Sequence, residues 1–354
     1  MTITNRQLAE LAARASDEHE GNKQKALRRC SRVALMWEEE AAEVVAQGRS
    51  LTELEAVGQW LDQVLREWIE DPPSVPDPPP VRADFMTYAH ARMVLSGDPS
   101  WSQALDGDLQ MHTLYSDGKG SVIDMASTAC ERGYGYIAIT DHSKGLKIAG
   151  GMDEGELARQ GAEIQRVNEA LTARGDRLRV LRSLEMNIDP AGDGDMEEDA
   201  LRSLDLVIGS FHSKLRSTED QTDRYLAALR NPHVHVLGHP RGRMYNFRSG
   251  LNADWERVMQ SAAELDKAVE IDGYPYRQDL NVELLALARE EQVRISIGTD
   301  AHDQAEMRFI DVGLAAALEA GVPRERILNF QPWEDIVEWT GSLARVSSAT
   351  SPTC

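Results

Sequence analysis

A chain of 354 residues has room for roughly two domains and for one core of barrel size. Its 42% hydrophobic and 27% charged content is ordinary for a globular protein, while the formal net charge of −21 opposes any broad attraction to nucleic acid or to an anionic membrane. Nothing in it reads as a signal peptide or as an apolar span of about 20 residues. Cys30, Cys130 and Cys354 are too widely separated for a redox or metal-ligand motif, so a reducing, cytoplasmic setting is expected.

In chain order, residues 4–70 read as helical. The runs are NRQLAELAARASDEH, KALRRCSRVALMWEEEAAEVVAQG and LTELEAVGQWLDQVLREWIED, with Gly48 stopping the second and Thr52 capping the third. This predicts a small all-α domain over 1–70. The segment DPPSVPDPPP at 71–80 carries six prolines and marks a stiff linker, taken as 71–84. FMTYAHARMVL at 85–95 predicts one further helix.

From Asp108 onward short apolar runs alternate with amphipathic stretches, the pattern of a parallel β/α sheet or barrel. Seven strand candidates appear: DLQMH at 108, YIAITDH at 136, RVLRSLEM at 179, LDLVIGSFH at 204, VHVLGHP at 234, AVEID at 268 and VRISIGTD at 293. Between the first two, Val122, Met125, Ala126, Ala129 and Cys130 recur at helical spacing, with Ser121 as N-cap and Gly133 beyond the end. Cys130 is expected in the core. The second domain is taken as 85–344, with SSATSPTC and the residues around it, 345–354, as a disordered tail.

Six of the seven strands are read as ending in a potential metal ligand. His112, Asp117, His142, Glu185, His212, His239, Asp300 and His302 all share this placement, and a barrel gathers such strand ends at one mouth. One histidine at a strand end reads as a hydrogen-bonded structural residue; eight such groups at equivalent positions read as a cluster of divalent metal ions. His19, His90, His233 and His235 lack the placement and are expected on the surface or in the core.

The phrases ITDHSKGLKIAGG, GSFHSKLR, LRNPHVHVLGHPRGR and ISIGTDAH, in this order and spacing, resemble the polymerase and histidinol phosphatase (PHP) domain, most closely the copy at the C-terminus of bacterial family X DNA polymerases. The resemblance covers about 108–340. It implies an irregular seven-stranded β/α barrel holding two or three divalent ions, zinc, manganese or iron. By the same resemblance His112, Glu185 and Asp300 hold the first ion, Glu185 bridges to a second held by His212 and His239, and Asp117, His142 and His302 hold the third. Asp300, His212 and Glu185 carry the catalytic role. Gln110 departs from the pattern, standing where most such domains have the first His of an HxH pair.

Paired ions lower the pKa of a bridging water and stabilise the attacking and leaving oxygens of a phosphoester. Phosphate contacts are then expected from the loops after the ligands: Lys144, Lys147, Lys214, Arg216, Arg241, Arg243 and Arg277, with Tyr274 and Tyr276 as stacking surfaces. Each of these basic residues reads equally as a solvated loop charge.

Residues 5–70 faintly resemble the DNA-binding domain that opens family X polymerases, with NKQKALRRCSR as its basic helix and LTELEAVGQWLDQVL as its helix-hairpin-helix. That hairpin needs a Gly-x-Gly turn; here Ala56, Val57 and Gly58 keep only the second glycine, and Glu38, Glu39, Glu40 and Glu43 lie close by. Fewer than forty residues separate residue 70 from the first strand, which leaves no space for a polymerase palm. Three readings follow. One is a DNA 3′-end processing phosphoesterase. The second is a small-molecule phosphate monoesterase of histidinol-phosphatase type. The third is a non-catalytic module whose helical domain recruits a protein partner. The nearly complete ligand set argues against the last, and no membrane role is expected.

Overall fold

The computed structural model describes residues 2–350, with side chains placed through residue 343. Helix α1 (Asn5–Asp17) starts in a capping box formed by Thr4 and Gln7. Helix α2 (Gly21–Val33) ends well before the expected stop at Gly48, and the chain runs irregularly to a short α3 (Ala41–Ala46). Tertiary contacts override the helical pattern there. The Asn5 side chain donates to the Glu39 carbonyl and accepts from the Ala41 amide, both at 2.8 Å, while the Glu40 carboxylate accepts from the Asn5 amide at 2.6 Å. Thr52 does not cap the next helix. It lies in a 3-10 turn, and α4 (Gln59–Glu70) begins after Gly58. Ala56 adopts a left-handed conformation (φ 63), the geometry that a glycine would take in that turn without strain.

The apolar faces of these helices meet around Leu8, Leu27, Leu35 and Leu65, and Phe85 and Tyr245 join the same cluster. No helix or strand occurs over 71–87. Then α5 (Tyr88–Gly97) and α6 (Ser100–Ala104) lead into the barrel.

The strands are β1 (Gly107–Met111), β2 (Tyr136–Ile139), β3 (Arg179–Asn187), β4 (Leu206–Ser210), β5 (Val236–Leu237), β6 (Ala268–Asp272) and β7 (Arg294–Gly298). They pair in sequence order, every pair parallel. Between them run α7 (Val122–Glu131), α8 (Glu154–Arg174), α9 (Glu198–Leu201), α10 (Thr222–Arg230), α11 (Trp255–Glu264) and α12 (Val282–Glu290), followed by α13 (Ile310–Glu319) and α14 (Trp333–Thr350). Ser121 and Asp124 form the capping box that opens α7, and Gly133 ends it at φ 76. Cys130 is only half-buried, at the margin of the cluster under that helix rather than inside it. The helix α14 continues through residues 345–350, where a tail was expected; residues 351–354 lie outside the described residues.

Side chains rather than a ladder close the seam between β1 and β7. Asp108 accepts from the Thr299 amide at 3.1 Å and its hydroxyl at 2.6 Å, and Asn329 donates to the carbonyls of Gly107 and Ile297 at 2.9 and 2.8 Å. Beyond them the backbones of Met111 and Ala301 form a bridge. Ile336, Trp339 and Leu343 of α14 pack on Leu109, Leu181, Leu206 and Ala268. Trp339 and Thr340 donate to the carbonyls of Asp266 and Asp205, which precede β6 and β4, so α14 plugs the end where strands begin. The opposite mouth, where strands end, is left for chemistry. The helical domain seats on that mouth's rim. The Asn246 amide donates to the Val81 carbonyl at 2.9 Å, and Arg82 links Glu10 (2.7 Å) to Asn246 (2.9 Å). Among the described residues no helix is long and apolar enough to cross a membrane.

Candidate metal centre

The mouth is built from the ends of the strands. Past β1 the chain turns at His112, whose amide donates to the Ala301 carbonyl at 2.8 Å, locking the ends of β1 and β7 together. Asp300 sits just beyond β7 in a left-handed conformation (φ 51) that is costly for a residue other than glycine. The turn aims both Asp300 and His302 inward. Asp141, after β2, accepts from the Thr113 amide (2.7 Å), the Thr113 hydroxyl (2.6 Å), the Ser116 hydroxyl (2.6 Å) and the Gln160 amide (2.7 Å). Those bonds hold the loop carrying Asp117 against His142.

The structure brings all eight strand-end residues into one cluster. Glu185 is fully buried at its centre, within 2.8 Å of His239, 3.0 Å of His142, 3.2 Å of His212 and 3.5 Å of His112. His112 Nε2 lies 2.9 Å from Asp300, and Asp117 lies 3.3 Å from His302 and 3.6 Å from His142. Three groups have ligand atoms within 4.8 Å of one another: His112, Glu185 and Asp300; His142, Glu185 and His212; and His112, Asp117, His142 and His302. His142 therefore stands between two groups, one ring nitrogen toward Glu185 and the other toward Asp117, where the family resemblance implied a place with Asp117 and His302 alone.

The charges are strongly coupled. Burial alone makes the Glu185 carboxylate harder to ionise, but His142, His239 and His212 outweigh it and hold its pKa well below the usual range. Asp300 is likewise held low against burial by Arg277 and His112. Burial opposes charge on His239 and His302, yet Glu185 pushes the first up to about 10, and Asp117 with Asp300 does the same to the second. His212 moves down because burial prevails.

The donor set fits divalent cations. Five imidazoles and three carboxylates are packed at hydrogen-bond distance, Glu185 Oε2 makes no hydrogen bond, and both amide atoms of buried Gln110 are unpartnered. Asn187, which accepts from His212 Nδ1 at 3.2 Å, fixes that ring with Nε2 toward Glu185.

Sequence reasoning missed the carboxylates of β6. Glu270 and Asp272 are fully buried beside the cluster, each with an unpartnered oxygen, and burial raises both pKa values well above normal. Asp272, at the end of β6, carries the same signal as the others, whereas Glu270 lies mid-strand. Asp279, buried with both oxygens unpartnered, lay in a loop with no such signal.

The basic residues divide. Arg277 reaches Asp300 at 3.6 Å and Asp272 at 4.0 Å, at the cluster itself. Arg216 and Lys147 are exposed on the rim, and Arg241 is partly buried, donating to the Ser249 carbonyl. Two of them are engaged elsewhere in the structure. Arg243 is buried on the Phe85 ring at 3.7 Å and donates to the carbonyls of Ala83 and Asp84, so it anchors the linker rather than facing the mouth. Lys144 is paired with Glu154 at 2.6 Å. Tyr274 is buried, with its hydroxyl on Glu306; Tyr276 is half-buried at the rim.

Seven parallel strands end at this candidate metal centre, and together with the family match the arrangement is that of a phosphoester hydrolase. Residues 108–302, more than half of the chain, match the PHP domain, and the chain belongs to that family. It is 36% identical over 233 residues to the DNA polymerase/3′-5′ exonuclease PolX of Bacillus subtilis, a match covering 66% of this chain and 40% of that protein. It is 28% identical over 235 residues to a probable phosphatase of Caldicellulosiruptor bescii, covering 64% of this chain and 91% of the relative. A histidinol phosphate phosphatase of Lactococcus lactis, solved with zinc, L-histidinol and phosphate, aligns with a TM-score of 0.45 at 17% identity, covering 62% of this chain and 94% of that one.

Proposed function

We propose that this chain is a multinuclear metal phosphoesterase that processes DNA 3′ ends, removing a 3′ nucleotide, 3′ phosphate or abasic remnant. The observation that carries the hydrolytic part is Glu185, one buried carboxylate within reach of four imidazoles. In this reading His112, Glu185 and Asp300 hold one ion, Glu185 with His212 and His239 a second, and Asp117, His142 and His302 a third. The Gln110 amide oxygen is free to complete the first site. Two or three ions of zinc, manganese or iron supply Lewis acidity and a water acidified to near neutrality.

The residues themselves set the rest. Water adds to phosphorus, the ester P–O bond breaks, and the departing oxygen takes up a proton. Asp300, kept ionised, stands inside the cluster, and Arg277 beside it contributes a charge-assisted donor to a phosphate oxygen that lands there. Arg216, Arg241 and Lys147 extend that positive charge along the rim. The match to a 3′-5′ exonuclease favours DNA as the substrate.

The chain spans less than half of that exonuclease but matches most of the length of the probable phosphatase, and this favours a second reading, a small-molecule phosphate monoesterase. Turnover of 3′-labelled single-stranded DNA against a panel of phosphate monoesters, on protein purified without chelator, decides between them. Shortening or 3′-dephosphorylation of the DNA supports the first reading; monoester turnover alone overturns it in favour of the second.

A further inference from the structure

A cleft of about 430 Å³ runs between α2 and the loop after β5, lined on one side by Arg28, Arg29 and Arg32 and on the other by Phe247 and Tyr276. Acidic residues outnumber basic ones 59 to 38, yet among the described residues the side chains of Arg28, Arg32, Arg216 and Arg248 form no ion pair and no hydrogen bond. Arg29 has only a 3.9 Å approach to Glu55. Three of the four acids that argue against nucleic acid in the sequence have partners of their own. Glu38 meets Arg308, Glu39 meets Arg49, and Glu40 accepts from Asn5.

Aromatic rings interleave with these cations. Phe247, 55% exposed, has Arg216 at 4.5 Å and Arg248 at 5.6 Å from its ring centre, and Arg32 lies 5.5 Å from that of Tyr276. Tyr276 precedes Arg277, whose guanidinium touches Asp300, so the cleft and the metal cluster are joined through two adjacent residues.

From this geometry we infer that the cleft between α2 and the barrel is a binding track for a single-stranded nucleic acid, whose end lies at the metal cluster. The inference rests on the phosphoesterase reading and extends it to a polymeric substrate. Free guanidinium groups take the phosphates, and the exposed Phe247 ring, the half-buried Tyr276 ring and guanidinium planes take the bases, a combination that a monoester substrate does not need. It also reconciles the net charge of −21 with a nucleic-acid ligand, because the attraction is confined to one groove.

The test is fluorescence anisotropy of a labelled oligothymidylate with phosphorothioate linkages on the full metal-loaded chain. Hydrolysis of p-nitrophenyl phosphate is followed in parallel. The Arg28→Ala/Arg32→Ala variant is expected to bind the oligonucleotide about tenfold more weakly, with the salt-dependence slope reduced by about 1.4, and Phe247→Ala to weaken it further. Monoester turnover is expected to stay at the parent level in both variants. Unchanged oligonucleotide affinity overturns the track, as does equally tight binding of polyglutamate. A parent protein that hydrolyses no phosphoester defeats the catalytic reading separately, since anisotropy requires no turnover.

Discussion

The Asp141 carboxylate accepts both the amide and the hydroxyl of Thr113, at 2.7 and 2.6 Å, and so ties the end of β2 to the loop after β1. Asp141 stands next to His142 in sequence and is buried. The loop it holds carries Asp117. Asp141→Ala is expected to cost on the order of 3 kcal/mol in denaturant unfolding, because it leaves several buried donors without an acceptor. Metal content is expected to fall by one ion while the other sites stay filled. Unchanged stability and unchanged metal content count against this bracing role.

Glu185→Gln removes the carboxylate shared by four imidazoles at nearly constant shape. Phosphoester turnover is expected to drop at least about a hundredfold and bound metal to fall, with the circular dichroism spectrum preserved. A variant retaining full metal content and activity overturns the assignment of Glu185 as the shared ligand.

Gln110 presents two unpartnered amide atoms inside the barrel. Gln110→Met is expected to stabilise the metal-free protein by about 1–3 kcal/mol in chelator, since an unsatisfied buried polar group is replaced by an apolar one of similar length. In metal-saturated buffer the gain is expected to vanish as first-site affinity falls. Thermal unfolding with and without chelator reads both.

His235 gives the fold an acid sensitivity separate from the metal centre. Its Nδ1 accepts from the Val207 amide at 3.0 Å, and burial, with Lys267 and His233 adding like charge, depresses its pKa from 6.5 to about 3. The unfolded chain binds this proton at a higher pH than the native one does. Stability from this group is therefore complete above pH 6.5 and lost as pH falls toward 3, by about 1.4 kcal/mol per unit. His235→Gln is expected to flatten that part of the stability profile measured by urea titration.

The period of the apolar runs makes the seven strands legible, and the position of His, Asp and Glu directly after them makes the cluster legible as a set. What sequence does not carry is tertiary bonding. The helix expected through residues 33–40 is interrupted because Asn5 captures the backbone of Glu39 and Ala41, a contact 34 to 36 positions away. Arg243 follows His239 closely and looks like a phosphate ligand, yet Phe85 and the linker carbonyls hold it elsewhere. Asp272 ends β6 and shares the strand-end signal of the other ligands, whereas Glu270 lies mid-strand, where spacing gives no sign that its carboxylate turns to the cluster. His142 illustrates a finer limit, since spacing places its backbone but not the two directions in which its ring nitrogens point.

The seam between β1 and β7 has a bearing on biosynthesis. Its clasp is made by Asp108 with Thr299 and by Asn329, partners some two hundred positions apart. Asp300 and His302 are also among the last of the cluster to leave the ribosome, well after Glu185 and its neighbours. A nascent chain thus carries an incomplete set of ligands for most of its translation, and the hydrolytic centre is assembled only when the cylinder shuts.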